Sequence, residues 1–244
     1  MKKIFFTKFL FGFFLLIHSQ LIIAQSDDDY FMQDDTLADI VGITKYDAFC
    51  PILEGDSVRY CGKAPCTGWV KDYYPGTEKL IHQGSYDYGR ISTTFTNYFF
   101  SGVIERTFFK KPNGDYYSFE VFDSLSKPVT KIEYYRTTVI KRQDFYPGGI
   151  MELDDVYEKK GRYIESQKYY YRNGKPYSEL MLVDDKKNLY NYREFSKTGK
   201  LKFAGQKIRN PEINDYFSHG KWAYYDENGK IIKIENYVKG VLTE

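Results

Sequence analysis

The side chains able to do acid, base or metal chemistry are few and scattered in this sequence. There are three histidines, and His18 lies in an apolar N-terminal run. His82 and His219 occupy equivalent places in related segments at opposite ends of the chain. A linear array of such segments keeps them apart, so they do not read as a catalytic pair. Asp154-Asp155 and Asp184-Asp185 are adjacent carboxylates. Strand neighbours point to opposite faces, so neither pair converges on one substrate atom; solvated turn acids are the expectation. A glycan-cleaving site would need converging carboxylates. No Gly-x-Ser-x-Gly elbow occurs. Between Gly55 and Lys63 the glycines are too far apart for a phosphate loop, and Ala64 stands where Ser or Thr is required. Asp27-Asp28-Asp29 and Asp34-Asp35 lack the alternating ligands, central Gly and terminal Glu of an EF-hand. The expectation is a protein that is not an enzyme, with no cofactor and no metal.

Cys50, Cys61 and Cys66 all lie in the N-terminal third. Cys61 and Cys66 can close a small loop by disulfide. Cys50 paired to either is the rival, and both choices leave one thiol over. A zinc site fits less well, because only His82 is near and the spacing matches no common ligand pattern.

The segments that must carry these residues begin after a targeting signal. Met1-Lys2-Lys3 and Lys8 precede an apolar stretch from Phe9 to Ile17, and Ala24 precedes Gln25-Ser26-Asp27. That order predicts a signal peptide over residues 1–24. His18, Ser19 and Gln20 break the apolar run below spanning length. Removing Lys2, Lys3 and Lys8 takes the basic count from 35 to 32 against 33 acids, and the net charge from +2 to −1. A near-neutral chain gives no case for nucleic acid. Residues 25–57 read as an acidic leader, partly disordered. The expected location is the periplasm, the outer membrane or the medium.

From Val58 onward one frame recurs. Its clearest copy is Tyr216 to Gly240. Trp222 and Tyr224 face one side and Ala223 and Tyr225 the other. Asp226-Glu227-Asn228-Gly229 turns the chain, and Lys230 to Tyr237 returns it. The first copy has Thr67-Gly68-Trp69, Tyr73-Tyr74, a turn at Pro75-Gly76 and a return through Lys79-Leu80-Ile81. Between them, turns at Gly102, Ser126, Gly149, Gly174 and Gly199 follow aromatic residues, Tyr171 among them. The turn positions 76, 102, 126, 149, 174, 199 and 229 hold a period of about 25 residues. A loop-like insertion, roughly Lys207 to Asp215, accounts for the longer last interval. This predicts an all-β, elongated array of about seven antiparallel hairpins over residues 58–244. One hairpin cannot stand alone, so neighbours must share faces. The 25 Tyr and 19 Phe then sit at structural positions, and the repeated glycines let the chain turn and let rings approach the backbone.

Tyr-Tyr-x-x-Asn-Gly-Lys before an apolar strand and Tyr-x-x-Gly, with Gly220-Lys221-Trp222 opening the last copy, resembles the MORN-variant repeat. The likeness is strongest at Gly220–Gly240, Thr67–Gly89 and Tyr169–Tyr177 and weakest between residues 103 and 160. It implies a protein-binding or scaffolding module, with phospholipid binding in some members; glycan binding by the aromatic surface is a separate alternative. Similar proteins are labelled YwqK-family antitoxins, which implies a toxin-neutralising partner. The expected partner is another protein or a cell-envelope component, with membrane-surface contact as a weaker option.

Overall fold

The computed structural model describes residues 45–112 and 114–243. The signal segment 1–24 and residues 25–44 of the leader lie outside the described residues. Two single-turn 3-10 helices, Asp47–Phe49 and Pro51–Leu53, come first. A two-residue ribbon follows, β1 (Tyr60–Cys61) against β2 (Ala64–Pro65). Fifteen strands then form one antiparallel sheet in chain order. They are β3 (Gly68–Tyr73), β4 (Leu80–Asp87), β5 (Arg90–Tyr98), β6 (Ile104–Lys110), β7 (Tyr116–Phe122), β8 (Pro128–Tyr135), β9 (Thr138–Tyr146) and β10 (Ile150–Tyr157), then β11 (Ile164–Tyr170), β12 (Pro176–Asp184), β13 (Leu189–Phe195), β14 (Leu201–Asn210), β15 (Asp215–Tyr225), β16 (Ile231–Val238) and β17 (Val241–Leu242). No α-helix occurs among the described residues, and none there is long and apolar enough to cross a membrane.

The turn residues explain the hairpins. Gly174, Gly199 and Gly229 each adopt a positive φ and donate an N–H to the carbonyl three residues back. Nothing lies within 4 Å of a Cβ placed at Gly76, Gly102 or Gly229, so conformation and not space selects glycine there. Ser126 holds the same left-handed conformation at φ 61°. Its turn is held by Asp123 Oδ1, which accepts from the N–H groups of Leu125 and Lys127 at 2.8 Å each. Asp226 does the same for Asn228 and Lys230.

The recurring tyrosine before each turn has a specific task. Tyr74, Tyr146 and Tyr171 each donate a hydroxyl hydrogen bond, at 2.8 Å, to the backbone carbonyl 24 residues on, in the next hairpin. Turn therefore stacks on turn along one rim of the sheet. Along the other rim, Arg209 of β14 donates to the Arg162 carbonyl between β10 and β11 at 3.0 Å.

Strand alternation gives the sheet an inner and an outer face. Pairing from β3 to β16 places His82, Phe95, Phe108, Phe119, Ile132, Asp155, Leu180, Tyr190 and Trp222 on one face. With Ser118 as the exception, the buried strand residues lie on that face. Over its N-terminal part the 3-10 turns form a lid, and Cys50, Cys66, Tyr86, Phe95, Phe108, Phe119 and Ile132 share one core cluster beneath it.

Three expectations change. Trp69 and Trp222 are not equivalent: Trp69 is 65% exposed on the outer face and Trp222 is 4% exposed on the inner one. Gly68-Trp69 lacks the residue that separates Gly220 from Trp222, and a shift of one flips a strand side chain to the other face. Val70 takes the inner position opposite Gly84, while at the other end Trp222 lies over Gly205. The insertion at Lys207 to Asp215 is strand up to Asn210, and only residues 211–214 turn; Lys207 to Asn210 pair with Ser218 to Asp215. The leader boundary also moves, because Tyr46 and Cys50 of the lid are buried.

Ring approach is tightest at Gly205, is seen also at Gly240 against Phe217, and is absent at Gly76, Gly102 and Gly229. A Cβ on Gly205 would stand 2.4 Å from the Trp222 ring. Gly205→Ala is expected to cost about 1–3 kcal/mol through overpacking. Ser126→Gly is expected to stabilise, by about 1 kcal/mol, through relief of its left-handed backbone. Urea unfolding of both variants beside the wild type measures each change.

Candidate functional site

The densest polar chemistry lies under the lid, on β3 to β6. His82 of β4 is fully buried and its ring stacks on Tyr46, 3.8 Å between centroids and 3° between planes. Its Nδ1 lies 2.7 Å from Asn97 Oδ1, and its Nε2 lies 2.9 Å from the Tyr86 hydroxyl. Arg59 donates to that hydroxyl at 3.2 Å and to Asp72 at 2.7 Å. Burial pushes the His82 pKa down from 6.5 to about 4. The neutral ring therefore donates from Nδ1 to Asn97 and accepts from Tyr86 at Nε2. Burial is the largest influence on Asp72 and favours its neutral form, yet hydrogen bonds from Arg59 and Tyr46 and the Arg59 charge together outweigh it and hold the carboxyl below the usual range. Arg106, 1% exposed, pairs with Asp47 of the lid and with Glu105 at 3.1 Å.

Both nitrogens of His82 are thus engaged inside the protein, and a general base must reach a substrate proton. This histidine holds the lid. A cleft of about 340 Å³ opens beside it, lined by Lys45, Tyr46, Tyr74, Ile81, Asn97 and Glu105. Cys61 and Cys66 are bridged, with their Cα atoms 5.0 Å apart. Cys50 is the free, buried thiol, pushed up to about 12 by burial and therefore unreactive.

Farther along the inner face, Asp155 of β10 is 3% exposed. It corrects the expectation of solvated turn acids. Asp154 and Asp155 do point to opposite faces, but both lie mid-strand. Asp154 meets Gln143 and Lys141 outside, at 2.9 and 3.5 Å. Asp155 Oδ2 accepts from Tyr157 at 2.9 Å and Gln167 at 3.3 Å inside, and burial raises its pKa to about 6. Asp184 and Asp185 behave as expected at a turn, where Asp184 accepts from the Lys187 N–H.

Beyond β12 the inner face is aromatic. Trp222 packs against Phe203, Tyr192 and Tyr237 and donates to the Gln206 carbonyl at 3.1 Å. Lys207 Nζ lies 3.9 Å from the Tyr192 ring centroid, a cation–π contact, and burial lowers its pKa. Lys233 holds the Glu235 carboxylate down to about 2, with help from Tyr224 and Tyr237. Sequence pattern missed the Asp47–Arg106 and Arg59–Asp72 pairs, since their members are distant in sequence and share no motif. His82 and His219 lie on β4 and β15, eleven strands apart. Among the described residues no acidic, His or Cys group forms a metal-binding cluster.

The outer face carries polar contacts across strands over its middle, Glu120–Lys131, Gln143–Asp154 and Glu179–Arg193, with Phe109 and Met181 exposed singly among them. It turns apolar at its ends. Trp69 stands out on β3, and Ile232, Ile234, Val238 and Val241 stand out on β16 and β17 at 45–66% exposure.

Residues 166–184 and 218–239 match the MORN repeat variant model, and they span the β11–β12 and β15–β16 hairpins. No curated protein matches the chain. Among solved structures, a TarM mutant of S. aureus in complex with fondaparinux, alpha-GlcNAc-glycerol and UDP aligns at 13% identity. That alignment covers 36% of this chain and 18% of TarM, with a TM-score of 0.27. The GtfA/B complex bound to UDP and GlcNAc aligns at 14% identity over 48% and 21%, TM-score 0.21. A porin-like protein from Bacteroides uniformis aligns at 10% identity over 72% and 92%, TM-score 0.23. The chain thus spans about a fifth of the TarM and GtfA/B lengths.

The two perturbed inner groups oppose each other in acid. Between pH 6.5 and about 4 the unfolded chain protonates His82 and the folded one does not, so this term lowers stability as pH falls. Between about 6 and 3.8 the folded chain protonates Asp155 first, so this term raises stability as pH falls. Asp155→Asn is expected to gain on the order of 1–3 kcal/mol at pH 7. It is also expected to lose stability more steeply than the wild type from pH 6 to 4. Urea melts across that range read both slopes.

Proposed function

We propose that this protein is an exported, non-enzymatic binding module of the cell envelope. In this reading the hairpin sheet is a rigid support and its apolar terminal patch receives another protein. MORN repeats are generally associated with protein or membrane-lipid binding. The observation that carries the reading is the change in the outer face. Polar contacts across strands give way on β16 and β17 to Ile232, Ile234, Val238 and Val241, all exposed. An uncovered apolar group of this kind marks an interaction surface. The buried titratable groups are committed to holding the lid and the inner face. Export rests on the basic, apolar and small-residue order of residues 1–24.

A toxin-neutralising partner is the narrower form of the same reading, and it rests on the likeness to YwqK-type antitoxins. Membrane-surface binding is the second reading. Lys221, Lys230 and Lys239 are exposed near the patch, an arrangement suited to anionic headgroups.

Crosslinked purification of the tagged full-length chain from its own envelope is expected to recover one stoichiometric protein. Ile232→Asp with Val238→Asp is expected to lose it while retaining the wild-type melting temperature. Equal recovery by the variant overturns the patch as the binding surface. Flotation of the wild type with anionic vesicles, with no protein recovered, replaces the protein-binding reading with the membrane one.

A further inference from the structure

Among the described residues the sheet has two strand edges, at β3 and at β16–β17, and they are the two halves of a junction that the chain already makes six times. Each hairpin's return strand pairs with the outgoing strand of the next in a constant register. The marker residue of the outgoing strand is the one before its bulge, and that of the return strand is its partner across the hairpin. The six junctions bring together His82 and Asn97, Arg106 and Val121, Thr130 and Asp144, Leu153 and Tyr169, Ser178 and Glu194, and Phe203 and Tyr224. Two of these pairs are directly hydrogen-bonded, His82 to Asn97 at 2.7 Å and Thr130 to Asp144 at 2.5 Å.

The marker left over at the return end is Lys233, which pairs across its hairpin with Tyr224. The marker left over at the outgoing end is Asp72, which pairs with His82. Each already has a partner within its own copy, Glu235 at 2.5 Å for Lys233 and Arg59 at 2.7 Å for Asp72, so register and open backbone, and not a new ion pair, carry the match. In the junction register Lys233 of one copy meets Asp72 of another, and Ile234 meets Lys71, as Gln83 meets Thr96 within the chain.

The backbone at the β16 edge suits this. Asn236 presents its carbonyl to that edge, where it accepts from the Thr243 N–H at 2.8 Å. Alternate strand residues face the same side, so Ile234 turns its own N–H and C=O outward. β17 pairs with Tyr237 and Val238, which among the described residues leaves the edge at Lys233 to Glu235 open. In this register Trp69 falls opposite Asn236, where Thr243 already bonds, so the new pairing runs over Val70 to Asp72 against Glu235 to Lys233.

We propose that the edge of β16 takes the β3 edge of a second copy of this chain, in the register of the internal junctions. Such a contact is heterologous. It leaves a free edge at each end and builds open chains and not closed dimers.

Sedimentation velocity of the full chain tests this over a hundredfold range of concentration. The mass is expected to rise past that of a dimer. Lys71→Pro and Ile234→Pro each remove one edge N–H while sparing the ladder inside the chain. Each variant alone is expected to weaken self-association by about tenfold or more. Mixed together they retain one intact edge of each kind, and a one-to-one heterodimer is expected. That heterodimer also demonstrates that both variants fold. A wild type that stays monomeric throughout overturns the proposal. So does a Lys71→Pro chain that still dimerises by itself, because that pairing would join β16 to β16.

Discussion

The constraint on which the rest depends is strand alternation in a sheet of fifteen strands. Each strand can bury only every second side chain. Because each hairpin joins the next in the same register, the inward residues of all strands align on one face. That face collects the rings, the neutral His82 and the Asp155 carboxyl. The opposite face keeps paired charges and amides in water. A shift of one residue, as at Trp69, sends a large ring outward.

The register itself is held at the rims. A tyrosine hydroxyl that reaches a carbonyl 24 residues on ties two hairpins together without using either sheet face. This explains why Tyr is favoured over Phe before several turns: the ring packs and the hydroxyl bonds to the next repeat. The glycine turns serve the same end, since a fixed turn geometry fixes the strand pairing that follows it.

The lid shows how a repeat sheet begins. Among the described residues no strand pairs with the far edge of β3, and the lid covers the inner polar groups of the first hairpin. The Tyr46 ring on His82, the Asp47 carboxylate on Arg106 and Arg59 on Asp72 and Tyr86 cover them. In a low-dielectric setting each of these polar groups needs its partner, so the network of Arg59, Asp72, Tyr86, His82 and Asn97 is closed. At β16 the described residues offer only the two-residue β17, and there the apolar outer residues stay exposed.

The amino-acid sequence alone determined the all-β class, the seven turns and their spacing, and the facing of Trp222 and Tyr224, because glycine conformation and period-two alternation are local properties. It placed Asp154 and Asp155 on opposite faces but not within a strand, since the boundary of a strand depends on what pairs beside it. It took Lys207 to Asp215 for a loop, because polar residues and a proline suggest a turn until a matching strand is present. Only the tertiary structure decided that Trp69 faces out, that residues 45–57 form a lid, and that Asp47 meets Arg106. Those outcomes depend on contacts between residues tens of positions apart, and no local pattern records them.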